Sequence, residues 1–491
     1  MEALSVAALS VYIAALLFIF LYSLSLLSLV LLYLKNRRSR SGERSLPGKM
    51  RAYPCVTVQL PVYNELYVVE RLIDSVAAFD YPKDRLEIQV LDDSSDETSS
   101  LIESSVNRWK ATGLDIYHVR RVNRSGYKAG ALANGLATAR GELIAIFDAD
   151  FLPPPDFLLK TVQYFEDKSI GVVQTRWGHV NQDYSLLTDL QAFALDAHFT
   201  VEQAGRHAGN HFINFNGTGG IWRKECILDA GNWQSDTLTE DLDLSYRAQL
   251  KGWKFMYLED VVTPAELPVT MSALKTQQFR WTKGGAECAR KNLLPVLKSP
   301  HLSLATKLHA ASHLLNSTVF LCIMLSAALS IPLLIIKHND IDHAYTYYYA
   351  SFSLLSLVLL GFFYWAPNVG RPLKSQLIYP FKFLVFLSVS MGFSLHNTVA
   401  LIEAYSGHKI AFERTPKLNI VSRSDGWRGK RYLTSGINWI AVLEGLMACY
   451  FAWGVYIGYR IVDYGLIPFH LMLALGFGTV SAYSFWQAKN A

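Results

Sequence analysis

The chain opens on an unbroken apolar run: residues 3–34 hold no charged side chain. At about 1.5 Å per residue such a run can cross a hydrocarbon core of about 30 Å. A secretory signal would be shorter and would end in a small-residue cleavage site. Here Lys35, Arg37, Arg38, Arg40 and Arg44 follow, which places that end in the cytoplasm and Met1 outside. Apolar runs return at 312–336, 346–366, 377–402, 438–460 and 465–486. Between them, residues 50–305 are mixed and polar. Short β-rich runs at Val56–Leu60, Glu87–Leu91, Asp115–Val119 and Leu143–Phe147 predict strands. Helical patterns fall at 64–79, 97–110 and 127–140. This alternation predicts an open, mostly parallel α/β sheet with helices on both faces.

Charge decides how the later runs are threaded. The loop Lys337–His343 carries more acid than base and reads as external. The stretch 403–435, with Lys409, Arg414, Lys417, Arg423, Arg428, Lys430 and Arg431, reads as cytoplasmic. A full crossing at 377–402 would put that basic stretch outside. Lys382 interrupts the run, and His396, Asn397 and Glu403 end it. Residues 377–405 therefore read as interfacial or re-entrant helices, which leaves five spans and a cytoplasmic C-terminus. A sixth span is the alternative. The expected division is a span at 1–34, a cytoplasmic domain at 35–305 and a membrane region at 306–491.

Composition agrees with an integral membrane protein, 51% hydrophobic and only 18% charged, where soluble domains carry about 25% charged residues. The net charge of +5 is too balanced to indicate a nucleic-acid partner. Five scattered cysteines form neither a CxxC pair nor a disulfide framework. No GxGxxG follows the first strand and no GxxxxGK[ST] occurs, which disfavours a dinucleotide oxidoreductase and a P-loop ATPase.

In open α/β sheets ligands sit beyond the carboxyl ends of the strands. The polar clusters fall there: Pro61–Glu65, Asp92–Asp96 and Asp148-Ala-Asp150. Asp148 and Asp150 at a loop tip suit a hard divalent cation that bridges to phosphates, although a solvated turn has the same composition. Glu240 and Asp241 precede the helical run Leu242–Leu250. Asp241 can serve as a general base, while Thr239 or Asp241 as a helix cap explains the same residues. Gln277, Arg280 and Trp281 share a helix face. Arg280 can pair with a diphosphate and Trp281 can carry a sugar ring; a snorkelling Arg beside an interfacial aromatic is the bland alternative. Lys128 opens the helix 127–140, where a cation opposes the macrodipole and calls for an anion. Glu444 within a span is a functional candidate by default; a partner for a polar group in the bundle is the bland alternative, and no role is assigned to it.

Asp92/Asp93, Asp148-x-Asp150, Thr239-Glu-Asp241 and Gln277-x-x-Arg280-Trp281, in this order, resemble the membrane-integrated family 2 glycosyltransferases of the cellulose synthase superfamily. Gln174–Trp177, Leu195–Gln203 and Phe215–Thr218 are similar to the plant cellulose-synthase-like mannan and glucan synthases. Phe412-Glu-Arg-Thr415-Pro-Lys417 resembles the gating loop of processive synthases. Asn216-Gly-Thr218 stands where bacterial cellulose synthases have a cysteine motif, which argues against a cellulose product.

The resemblance implies a GT-A catalytic domain, a nucleoside diphosphate sugar donor (UDP-glucose or GDP-mannose) and Mg²⁺ or Mn²⁺. It implies that Tyr63, Glu65 and Asp92 or Asp93 hold the nucleoside, with Lys128, Asp148, Gln277 and Arg280 on the diphosphate side and the metal on Asp150 and Asp148. Asp241 would be the base, with Glu240 beside it. Trp281, Asn216, Gly217 and Thr218 would meet a glycan or glycolipid acceptor. Phe412, Thr415 and Lys417 would form the gating loop. The expected activity is inverting hexosyl transfer to a β-linked polymer that is extruded across an inner or plasma membrane, among lipids, from a cytoplasmic catalytic domain. Two alternatives stand beside it: single addition to a lipid, as in ceramide glucosyltransferases, and an inactive transporter or scaffold.

Overall fold

A computed structural model describes residues 2–40, 52–339, 344–410, 412–433, 436 and 438–490. Seven strands form one sheet: β1 (Val56–Val62), β2 (Leu86–Asp92), β3 (Asp115–Arg120), β4 (Leu143–Ile146), β5 (Ile170–His179), β6 (Gly220–Arg223) and β7 (Lys254–Ala265). Their order is β3-β2-β1-β4-β6-β5-β7. Every pairing is parallel except those of β6, which runs antiparallel to β4 and β5. The predicted strands are all present.

The register explains why the motifs converge. Val62 stands opposite Asp92, and Gln59 opposite Ile146. The loops that leave β1, β2 and β4 therefore emerge side by side. Because β6 is reversed, its beginning lies at the same edge: Gly220 pairs with Ile146, which sets Asn216–Gly219 beside Asp148–Asp150.

Alternation along the strands supplies two cores. Val56, Val58 and Leu60 pack with Phe147 and Phe157 on one face. Ile144, Ile146, Trp222 and Tyr257 pack on the other. Burying a side chain of this size stabilises by about 1.5–3 kcal/mol, so the floor of the cleft is held by its most buried strands.

The predicted helix over 64–79 is shorter, Val69–Ala77. Asn64 takes a left-handed φ of 53°, and the Glu65 carbonyl accepts from the amides of Val68 and Val69. The first turn is thus given up to a loop facing the cleft.

Among the described residues, four helices are long and apolar enough to cross a membrane: Ser5–Arg37, Thr318–His338, Trp439–Arg460 and Ile467–Asn490. Leu373–Gly392 and Ser394–Ser406 are bent by 46° and are admissible as one broken span or a re-entrant pair. Helix Ala344–Trp365 lies against the first helix, where Phe352 meets Phe20 edge-on. Lys382 is accounted for by Asp189 of helix Leu186–Ala197 in the α/β domain, 2.6 Å away. Glu444 accepts from Lys275 at 2.5 Å, a partner that lies outside the bundle on helix Met271–Lys298 rather than on another span.

Candidate active site

One cavity opens at the carboxyl edge of the sheet. Its walls include Tyr63, Glu65, Asp93, Lys128, Asp148, Asp150, Asn216, Gly217, Glu240, Asp241, Gln277, Arg280, Trp281, Phe412, Thr415 and Lys417. Sixteen of the eighteen candidate residues thus meet in one place. The other two lie behind the wall. Asp92 is buried and accepts from the Ser94 amide at 2.8 Å and the Ser99 hydroxyl at 2.6 Å, with His118 Nε2 2.8 Å away. Burial pushes its carboxyl up, but those hydrogen bonds overrule it and hold the pKa at about 2. Of the pair, Asp93 is the one that faces the cavity. Thr218 is buried, and its hydroxyl accepts from the Asp148 amide at 2.9 Å; it shapes the acidic loop from behind.

Lys128 is central. Its ammonium donates to Asp148 Oδ1 at 2.5 Å and to the Gly217 carbonyl at 2.9 Å. Burial alone would lower its pKa, yet Asp148, Glu240 and Asp241 raise it. Gly217 is required there. Its φ is +79°, and a Cβ would lie 3.0 Å from Asp241 Oδ2, so a side chain would be strained and would crowd that carboxylate.

Asp241 sits in the first turn of helix Glu240–Leu250. Thr239 precedes the helix without a side-chain capping bond, and Asp241 Oδ1 accepts only from the adjacent Leu242 amide among the described contacts. Thr239 is thus the N-cap by position only, and Asp241 engages one first-turn amide. Burial, then the neighbouring Glu240, push the Asp241 carboxyl up to about 7, with Lys128 opposing. Glu240 is raised too, again by burial. A carboxyl poised near neutrality and aimed into a cleft suits proton transfer.

Arg280 projects from helix Met271–Lys298. Burial lowers its pKa, and the carboxylates of Asp148, Glu240, Asp241 and Asp150 oppose that. Its guanidinium lies 4.6 Å from the Phe412 ring and donates to the Thr415 hydroxyl at 3.3 Å.

The segment after Gly407 closes the cavity. Lys417 donates to Asp150 Oδ2 at 2.5 Å, Arg414 pairs with Glu65 at 2.8 Å, and Phe412 stacks on Tyr127. Burial raises the Glu65 carboxyl to about 8 against the pull of Arg414. Further on, Leu418, Ile420 and Trp427 bury against Val269, so the loop is docked on the α/β domain.

Four participants are new relative to the sequence. The Arg124 guanidinium carbon lies over the Tyr63 ring, 3.3 Å from its centroid. Arg121 forks onto Asp93 at 2.7 and 2.5 Å. Arg414 pairs with Glu65, and Glu266 receives the Leu418 amide at 2.9 Å. Arg414 lies inside the recognised loop motif, and its charge was the available signal; the others carried none.

Asp148 and Asp150 fit a hard divalent cation. They are oxygen donors, and each already accepts a cationic partner, Lys128 and Lys417. Among the described residues no group of three or more His, Cys, Asp or Glu is arranged to hold a metal ion by itself. Such a cation would need one or two carboxylates here, with phosphate oxygens completing its shell.

Residues 54–284 match the family described as glycosyltransferase like family 2. The chain is 45% identical over 262 residues to probable glucomannan 4-beta-mannosyltransferase 7 of Oryza sativa subsp. japonica, covering 52% of this chain and 45% of the relative. It is 40% identical over 296 residues to glucomannan 4-beta-mannosyltransferase 1 of the same plant, 57% of each chain. Glucomannan 4-beta-mannosyltransferase 9 of Arabidopsis thaliana is 40% identical over 296 residues, 57% of this chain and 55% of that one. The chain spans about half the length of the curated relatives it matches. Among solved structures, the mannosyltransferase PcManGT of Pyrobaculum calidifontis, in complex with GDP-Man and Mn²⁺, superposes with a TM-score of 0.53 at 19% identity, covering 83% of this chain and 99% of that one. The fold is thus GT-A-like. Residues 54–284 resemble the glycosyltransferase like family 2, and apolar helices flank them.

Proposed function

We propose, from the premise of a family 2 glycosyltransferase domain, that this chain transfers a hexose with inversion from a nucleoside diphosphate sugar to a growing β-linked glycan. The observation that carries the reading is the juxtaposition of the Asp148/Asp150 pair and the Glu240/Asp241 pair in one cavity, with Lys128 and Arg280 between them. The preferred donor is GDP-mannose. Its support is that the curated relatives are named glucomannan 4-beta-mannosyltransferases.

In this reading the acceptor ring lies on the Trp281 indole. Asp241 takes the proton of the attacking hydroxyl as its oxygen bonds to the anomeric carbon. The bond from that carbon to the diphosphate oxygen breaks, and the leaving group keeps the electron pair. Arg280 and Lys128 offset the growing negative charge. Attack opposite the leaving group turns an α-linked donor into a β-glycoside. A divalent cation held by Asp150 and Asp148 would supply further charge stabilisation to the diphosphate. Tyr63, stacked by Arg124, offers a flat surface for the base.

The cavity measures about 180 Å³ with the loop in place, against the ~300–1,000 Å³ usual for ligand sites. Donor binding therefore exchanges Phe412, Arg414 and Lys417 for substrate. The helix that carries Gln277, Arg280 and Trp281 reaches the membrane bundle through Lys275 and Glu444, which supports export of a chain growing past Trp281. We place the catalytic domain on the cytoplasmic side, with the N-terminus outside.

The test is donor turnover by the full chain in detergent with Mn²⁺, comparing GDP-mannose with UDP-glucose and sizing the labelled product. High-molecular-weight product from GDP-mannose is expected. A solvent-extractable single adduct would replace the polymerase with a lipid glycosyltransferase.

A further inference from the structure

Behind the cavity, the helix that begins at Leu186 does not run evenly to Ala208. Its turn His198–Gln203 is π-helical, between α-helices Leu186–Ala197 and Ala204–Ala208. Such widened turns often mark functional places. This one directs two side chains onto a single cavity residue. Asn216 Nδ2 lies 3.0 Å from His198 Nε2, and Gln203 Nε2 donates to Asn216 Oδ1 at 2.6 Å. The Asn216 amide is fixed as well, donating to Gln174 Oε1 at 2.9 Å.

The chemistry of these groups sets every direction. An amide nitrogen only donates, so His198 Nε2 accepts. His198 Nδ1 then carries the proton and donates it to Glu202 Oε2, 2.5 Å away. Glu202 Oε1 accepts from Arg206 at 3.0 Å. Burial pushes the Glu202 carboxyl up, but Arg206 and His198 overrule it and hold the pKa at about 2, so Glu202 stays an acceptor and keeps the His198 tautomer. The carboxamide of Asn216 therefore cannot flip. One N–H and one carbonyl lone pair are committed to His198 and Gln203, and one of each remains.

Asn216 lines the cavity beside Gly217 and Asp241. We propose that His198 and Gln203 are positioning residues, which clamp the Asn216 carboxamide so that its remaining N–H and lone pair face the cavity as a fixed donor–acceptor pair for sugar hydroxyls. A hydroxyl both donates and accepts, so this pair can read one hydroxyl or two neighbouring ones. The clamp also has a rigid back. Gly205 lies so near the first membrane helix that a Cβ would fall 2.5 Å from the Leu29 carbonyl oxygen. The inference rests on the hexosyl-transfer reading and adds to it the groups that orient the sugar.

The test uses the full chain with labelled GDP-mannose and a β-1,4-linked manno-oligosaccharide acceptor, with donor binding measured separately. Asn216→Asp keeps the shape and removes the donor. It is expected to lower transfer about tenfold, the scale of one lost hydrogen bond, with donor binding unchanged. His198→Ala should show a similar loss, and His198→Gln, which can still accept from the amide, should regain most of it. In the Asn216→Ala background, His198→Ala should add less than twofold, because it acts only through that residue. Wild-type rates for Asn216→Asp, or multiplying losses in the double variant, would overturn the clamp while leaving hexosyl transfer intact. A wild-type chain that transfers from no nucleotide sugar would overturn both readings.

Discussion

The floor and the lid of the cavity are built in opposite ways. The floor lies within residues 54–284: Asp93, Asp148 and Asp150 follow parallel strands with a buried core, Gly217 precedes the antiparallel β6, and Lys128 and Asp241 sit in the first turns of helices. The lid, Phe412 to Lys417, comes from beyond three further apolar helical segments and touches the cavity through point contacts, among them one aromatic stack, one cation–π contact, a hydrogen bond from Arg280 to Thr415 and ion pairs to Glu65 and Asp150. These ion pairs are largely buried, so they can be exchanged only for a ligand whose charge keeps the carboxylate paired, whereas a strand register cannot be exchanged at all. The difference separates chemistry from access: the floor is pre-organised, and in the proposed reaction the lid would compete with the substrate for the same groups.

That contrast can be broken by substitution. Asp150→Ala removes a floor carboxylate and should lower transfer by at least about 10²-fold, with chelation abolishing turnover in the wild type; radiolabel incorporation with and without Mn²⁺ measures both. Arg280→Ala takes away a charge-assisted contact to the leaving group. A fall of about 10- to 100-fold in kcat/KM is expected from steady-state kinetics. A pH series sharpens the comparison further. Asp241, with its pKa raised to about 7, must be ionised to accept a proton. Transfer should therefore rise with pH and level off above that value, falling about tenfold per unit on the acid side. Lys417→Ala on the lid should change transfer by less than about tenfold and should lower the KM for the donor, because the ammonium no longer occupies Asp150. A loss as large as that of Asp150→Ala would erase the distinction between floor and lid.

The sequence made the floor legible because each part is local. Strands announce themselves by alternation, and the ends of parallel strands share an edge, so Glu65, Asp148 and Asp150 could be placed together before any contact was known. Choosing between Asp92 and Asp93 needed the last residue of β2, where the strand ends on a buried side chain that His118 engages. The lid contacts were not legible. Lys417 and Asp150 are 267 residues apart, and nothing near either residue names the other. The same is true of Arg124 on Tyr63, which follows from the turn at Gly126 rather than from any motif. His198, Glu202 and Gln203 were visible as part of a resemblance, but their hold on Asn216 depends on a π-helical turn that hydrophobic periodicity does not reveal.

The central claim, that Asp241 is the base of hexosyl transfer in this cavity, is tested most directly by one paired measurement. The full chain and its Asp241→Asn variant are loaded with labelled GDP-mannose, and bound donor and a single round of transfer are read in the same sample. The account predicts equal binding within about twofold and a loss of transfer of about 10²–10⁴-fold in the variant. Equal transfer by both proteins would contradict it and would remove Asp241 from the reaction.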